Sequence, residues 1–206
     1  MSNSTELSGL AQRASFALRN HLSSLMALCH VLGDEGEAAQ ALHAIVVRIA
    51  LDADVLVDLS MSSVEHPGGG ATAAELLREA VAPLGWLADL VGAPVGVRCP
   101  DDLDAAFLDP REVVVTGRRL VAALIAGGTT TPLLLEARPD AGGVLIAARR
   151  VEHPLDLARL GPTPPSGNDN DVQLDVLAWA LGRPGLRTEL LADGDAVLAA
   201  RLGPAD

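Results

Sequence analysis

Residues 109–150 read DPREVVVTGRRLVAALIAGGTTTPLLLEARPDAGGVLIAARR, and the order of elements in this stretch decides the fold. It opens on Asp109-Pro110-Arg111-Glu112. Asp accepts hydrogen bonds from the free N–H groups of a first helical turn, Pro fits that turn without needing an N–H, and Glu lies three residues after the cap. A helix is therefore predicted through VVVTGRRLVAALIAG. The apolar runs PLLLEAR (132–138) and VLIAARR (144–150) follow, and PDAGG between them is a hairpin signal.

Working outward, PVGVRC (94–99) reads as a strand and AAFLD (105–109) as a short second one. Residues 73–92 read as a helix, broken or kinked near Pro83. On the other side, 152–170 is polar, rich in Pro and without periodicity. VQLDVLAWALG (172–182) reads as a helix. LRTELLA (186–192) and AVLAARL (196–202) form a last hairpin, turning at Asp193-Gly194-Asp195. Helix–β–β–helix–β–β–loop–helix–β–β predicts an α/β sandwich with one mixed sheet under helices.

A break falls at SVEHPGGGATAAE, where three glycines follow Pro67. Gly has too much backbone freedom for a helix interior, so this is a linker. The expected division is 1–64, a linker over 65–74, and 75–206. Before the break lie two helical patterns. One places Leu10, Ala14, Leu18, Leu22, Leu25, Cys29 and Leu32 at steps of three and four. The other does the same with Leu42, Ile45, Ile49, Ala53, Leu56 and Leu59, and GDEGE (33–37) makes the turn between them. Two helices alone leave half of this apolar surface wet. A homodimer in which two antiparallel hairpins form a four-helix bundle resolves this, and packing of the hairpin on its own C-terminal domain is the alternative. The fold class expected is thus α+β: a dimerising helical hairpin, then an α/β sandwich.

The chain of 206 residues is 49% hydrophobic with only two Phe, two Trp and no Tyr, so its core must be built from Leu, Val, Ile and Ala. All 15 basic residues are arginine, and the formal net charge is −12. Such an acidic surface argues against nucleic acid and membrane surfaces as partners. Cys29 and Cys99 sit on apolar segments without metal-ligand spacing and read as reduced thiols. No apolar run is long enough to span a bilayer, and the polar opening MSNSTEL is unlike a signal peptide, so a cytoplasmic location is expected.

The hairpin, the linker and this order of elements resemble the core of sensor histidine kinases, and more closely the compact histidine phosphotransferases that share the plan but lack ATP binding. The most specific local match is in SFALRNHLSSLMALCHVL (15–32). Asn20-His21-Leu22 fits the later half of the family pattern His-x-x-x-Asn-x-Leu, and Leu25 fits its next apolar position. Leu18, Arg19 and Leu22 fit the variant His-Glu-Leu-Arg-x-Pro-Leu. Both alignments place the phospho-accepting histidine at Phe16, and the first puts the acidic residue after it at Ala17. A phenyl ring has no lone pair to attack a phosphoryl group. His21, about 140° further round the helix, is the remaining acceptor candidate. His30 and His43 lack an orienting motif.

In such families an Asn on the helix equivalent to 110–127 ligates Mg²⁺, an Asp-x-Gly-x-Gly follows a central strand, and a Gly-rich segment cradles phosphate. Here the helix offers Leu120 to Ile125, and no Asn occurs between His21 and Gly167. After VLIAARR the chain reads Val151-Glu152-His153-Pro154-Leu155, and GPTPPSGNDND carries acids that repel phosphate. Arg149 and Arg150 are expected at an exposed strand end. No cofactor and no metal is expected, and an ATP-dependent autokinase is excluded.

Three readings remain. The first is a non-catalytic dimeric docking or regulatory protein, presenting Arg13, Phe16, Arg19, Asn20, Ser23 and Ser24 to a response-regulator receiver domain or a sensor kinase. The second is an active histidine phosphotransferase using His21. The third is a ligand-binding regulator outside two-component signalling, with 152–170 covering the vacated nucleotide pocket.

Overall fold

A computed structural model describes Leu22, Ser23, Leu25, residues 37–60, 71–101, 103, 108–140, 142–162, Gln173, Leu174, Leu177, Ala178, Leu181 and residues 186–204. The chain divides into two compact units, Met1–Glu65 and His66–Asp206.

In the first unit Leu22, Ser23 and Leu25 are helical, and helix α1 spans Glu37–Ser60. Val46, Val47, Ala50, Leu51, Ala53 and Asp54 of α1 are buried. At 100° per residue they fall on one arc of about 160°. The rest of the first helical pattern, Cys29 included, and residues 33–36 lie outside the described residues, and Glu37, the last residue of GDEGE, opens α1.

The second unit begins with α2 (Ala73–Val81), capped by Thr72. The Thr72 hydroxyl accepts from the Glu75 N–H at 3.2 Å, and the Glu75 carboxylate accepts from the Thr72 N–H at 2.8 Å. Pro83 cannot continue an α-helical ladder, and the chain tightens into a 3₁₀ turn over Ala82–Leu84 before α3 (Gly85–Leu90). Strand β1 (Val95–Arg98) follows, then α4 (Pro110–Ala126). The Asp109–Glu112 capping box forms as the sequence predicts, with Pro110 in the first turn.

The remaining strands are β2 (Leu133–Asp140), β3 (Gly143–Arg150), β4 (Gly161–Pro162), β5 (Leu186–Asp193) and β6 (Val197–Pro204). They form one mixed sheet of order β1-β2-β3-β6-β5-β4. Only β1 and β2 run parallel among these neighbours. Both hairpin turns use a glycine at positive φ, Gly142 at 84° and Gly194 at 57°, where a Cβ would be strained.

Two expectations fail here. Leu108 lies in a bend and Asp109 is the helix cap, so neither belongs to the short strand expected at 105–109, whose other members lie outside the described residues. The sixth strand is instead β4, pairing Gly161 with Ala192 and Pro162 with Leu191. A two-residue strand has no periodicity of its own, because the neighbouring backbone defines it.

Residues opposite one another across a sheet share a face. Leu135 of β2 points to the helices: a Cβ on Gly117 of α4 would lie 3.0 Å from it and 3.1 Å from Ala80 of α2. That face is the main core. Yet β3 is buried from Val144 to Arg149, on both faces. The second face is covered by 151–160, from which Leu155 and Leu160 pack on Leu145, Ala147, Leu191 and Ala199.

Candidate functional site

Of the docking residues expected on the first helix, Arg13, Phe16, Arg19, Asn20 and Ser24 lie outside the described residues, as do His21 and His30. Ser23 is helical and exposed, beside a buried Leu22 and an exposed Leu25. The other helix of this unit is informative. Leu42, Ile45, Ile49 and Leu56 of α1 are 40–61% exposed. They recur at the a and d positions of a heptad and fall within an arc of about 60°, next to the buried arc. α1 thus carries more apolar surface than its own chain covers. His43, at the start of this stripe, is half-buried.

In the second unit, α4 is buried from Glu112 to Ile125. Leu120, Val121, Ala122, Ala123, Leu124 and Ile125 present no polar side chain where a metal-ligating amide is expected in the resembled families. Immediately before this run sits a charged residue with no solvent exposure, Arg119. Its Nη1 donates to Oε1 of Gln173 at 2.7 Å, bridging α4 to a helical residue far along the chain. Arg118 donates through Nε to the Ala80 carbonyl at 3.3 Å and ties α4 to α2.

The turn after β3 is organised by Arg149. The sequence predicts an exposed strand-end arginine, whereas the residue is 8% exposed. Glu136, on the neighbouring strand and the same face, accepts from Arg149 Nε at 2.8 Å. Arg149 Nη1 donates to the carbonyls of Arg150, Val151 and His153, at 3.3, 3.1 and 2.8 Å. Arg149 Nε and Nη1 are thus committed to protein acceptors and hold the turn in place. Arg150 is half-buried, on the helix side of the sheet.

No protein-family model matches the chain, and no curated protein matches it. Solved structures are similar in fold. One is the histidine kinase domain of the blue-light activated kinase from Erythrobacter litoralis EL346, 15% identical over 90% of this chain and 95% of that one, with a TM-score of 0.41. Another is the Acinetobacter baumannii histidine kinase AdeS, at 9% identity, 95% and 98% coverage and a TM-score of 0.45. A bacterial phosphotransferase gives 12%, 98% and 97%, and 0.43.

The Cys99 thiol is half-buried, and burial, then the nearby Asp101 carboxylate, raises its pKa, which keeps it protonated and unreactive. Among the described residues no three His, Cys, Asp or Glu side chains gather to hold a metal ion, and no helix is long and apolar enough to cross a membrane. Arg119 and Gln173 escaped the sequence reading because 54 positions separate them. A buried Arg on an otherwise apolar helix segment was the available signal.

Proposed function

We propose that the chain is a non-catalytic, dimeric docking or regulatory protein of two-component signalling, acting on a response-regulator receiver domain or a sensor kinase. The observation that carries the reading is the exposed heptad stripe of α1, Leu42, Ile45, Ile49 and Leu56. An apolar stripe beside a buried arc is what a helix needs to pack once within its chain and once against a second copy. The resemblance in residues 15–32 supports the signalling context, and Phe16 at the phospho-acceptor position supports loss of relay chemistry. The buried apolar run Leu120 to Ile125 of α4 adds to this, since it offers no polar side chain to a nucleotide-bound metal.

The test is incubation of the full chain with acetyl-phosphate-charged receiver domains from the same cell. A stable complex without transfer of label to this chain is expected. An acid-labile, base-stable phosphate on the chain that disappears in His21→Ala would establish the phosphotransferase reading instead. Absence of any complex across the whole receiver set would remove the signalling role.

A further inference from the structure

One layer of the second unit is a single irregular segment. Residues 151–160 cross the second face of the sheet with no helix or strand of their own, and all but Leu155 and Leu160 are exposed. Those two leucines are half-buried and pack on Leu145, Ala147, Leu191 and Ala199, none of them more than 3% exposed. In its middle the segment bonds to itself: the Ala158 N–H donates to the Asp156 carboxylate at 3.0 Å, and the Arg159 N–H to the Asp156 carbonyl at 3.1 Å. A dry apolar patch thus lies under a cover held down by two side chains and by its ends.

The two ends are unequal. At the first, the buried Arg149 donates to the carbonyls of Val151 and His153, and the Val151 N–H donates to the Pro132 carbonyl at 2.9 Å. Charge-assisted bonds shielded from water are the strong kind. At the second, Gly161 and Pro162 pair with Ala192 and Leu191 over two residues, and Pro162 has no N–H to give the ladder. The remaining tie is Arg159, whose Nε and Nη2 meet the two carboxylate oxygens of Asp193 at 3.2 and 3.3 Å. The Arg159 side chain is 66% exposed. An ion pair in that setting holds weakly and is screened by salt.

We propose that 151–160 is a hinged strap. It releases at the Arg159–Asp193 latch, swings about the Arg149-bound end, and uncovers the apolar patch while the rest of the second unit stays folded. Openings of this kind draw on segments with few buried apolar contacts, and this one rests on two leucines. The latch makes exposure of the patch responsive to ionic strength. The strap is separate from the α1 stripe and does not depend on the signalling role.

The experiment compares two buried thiols in the full chain, Ala199→Cys under the strap and, in a second variant, Ala122→Cys in α4. Both are treated with iodoacetamide without denaturant, and mass spectrometry reads each cysteine separately. Ala199→Cys should label at least about tenfold faster than Ala122→Cys, which reacts only on global unfolding. Asp193→Asn or Arg159→Gln should each speed labelling at position 199 by about two- to fivefold. Raising sodium chloride should do the same with the latch intact and add nothing once it is removed. Equal rates at the two positions, or a rate at 199 that neither latch variant moves, overturns the strap. Should Ala199→Cys fail to fold, trypsin cleavage of the Arg159–Leu160 bond decides, in the unaltered chain and in Asp193→Asn. Faster cleavage in the variant supports the strap, and equal rates overturn it.

Discussion

Arg149 and Glu136 meet at 2.8 Å on the second face of the sheet, with side chains only 10% and 11% exposed. The pair does two jobs: it neutralises both charges in a dry setting, and it aims Arg149 at the three carbonyls that shape the turn after β3. Breaking a buried pair from one side strands the other charge. Arg149→Met is therefore expected to cost about 3–5 kcal/mol. Both tryptophans, Trp86 and Trp179, lie in the second unit, so urea unfolding followed by tryptophan fluorescence reads this unit alone. Arg149→Met combined with Glu136→Leu should recover much of the loss. Equal losses in the single and double variants would show that the carbonyl contacts matter more than the ion pair.

Gly143 and Gly117 make an ordered pair of predictions. A Cβ on Gly143 would sit 2.1 Å from the Leu202 carbonyl oxygen, a backbone atom of the paired strand. On Gly117 it would meet side-chain atoms, Leu135 Cδ2 at 3.0 Å, Ala80 Cβ at 3.1 Å and Leu77 Cδ2 at 3.3 Å. Flexible leucines can give way, and Ala gains about 1 kcal/mol of helix propensity over Gly. Gly143→Ala should thus lose at least about 2 kcal/mol, and Gly117→Ala should stay within about 1 kcal/mol of the parent. The reverse order of denaturation midpoints would contradict the β3–β6 register.

The α1 stripe predicts a change in solution mass. Ile45→Glu with Ile49→Glu places charge on the two neighbouring stripe positions, 54% and 42% exposed. Light scattering should find the double variant at half the parent's mass, with the tryptophan-reported unfolding of the second unit unchanged. An unchanged mass would rule out the stripe as the dimer seam.

The Thr72–Glu75 capping box predicts a pH effect. Hydrogen bonds from the Thr72 backbone, then from its hydroxyl, hold the Glu75 carboxyl below its ordinary value. A depressed carboxyl pKa favours folding while ionised: the contribution is complete above the unfolded-state value and fades as pH falls through the folded one. Glu75→Gln should leave stability less steeply dependent on pH between about 5 and 3. Parallel acid limbs for parent and variant would argue against the cap.

Much of the second unit was legible because its signals are local. Pro83, the Asp109–Glu112 box and the Gly142 and Gly194 turns each act within a few residues. What escaped the sequence depends on register or on distant partners. Arg149 looked exposed because nothing local reveals that Glu136 stands beside it on the next strand. β4 exists only through Leu191 and Ala192. α1 is apolar over most of its circumference, so periodicity found the helix without saying which residues face inward: of the expected stripe Ala53 is buried, whereas Leu42, Ile45, Ile49 and Leu56 are exposed. The expected relay and docking positions, apart from exposed Ser23, lie outside the described residues, so the reading at Phe16 rests on sequence.

The strand order also bears on how the chain folds. β2–β3 and β5–β6 are hairpins whose members are adjacent in sequence, so each closes a short loop. The β3–β6 seam joins them across the whole of 151–196. Bringing two preformed ribbons together over such a span is paid in chain entropy before any contact returns it. The glycine pair at the far end of that seam, Gly143 beside Gly203, lets the two backbones close without a side chain in the way. Closing this seam is the step expected to set the second unit's folding rate, so residues along it should govern refolding speed more strongly than those in either turn.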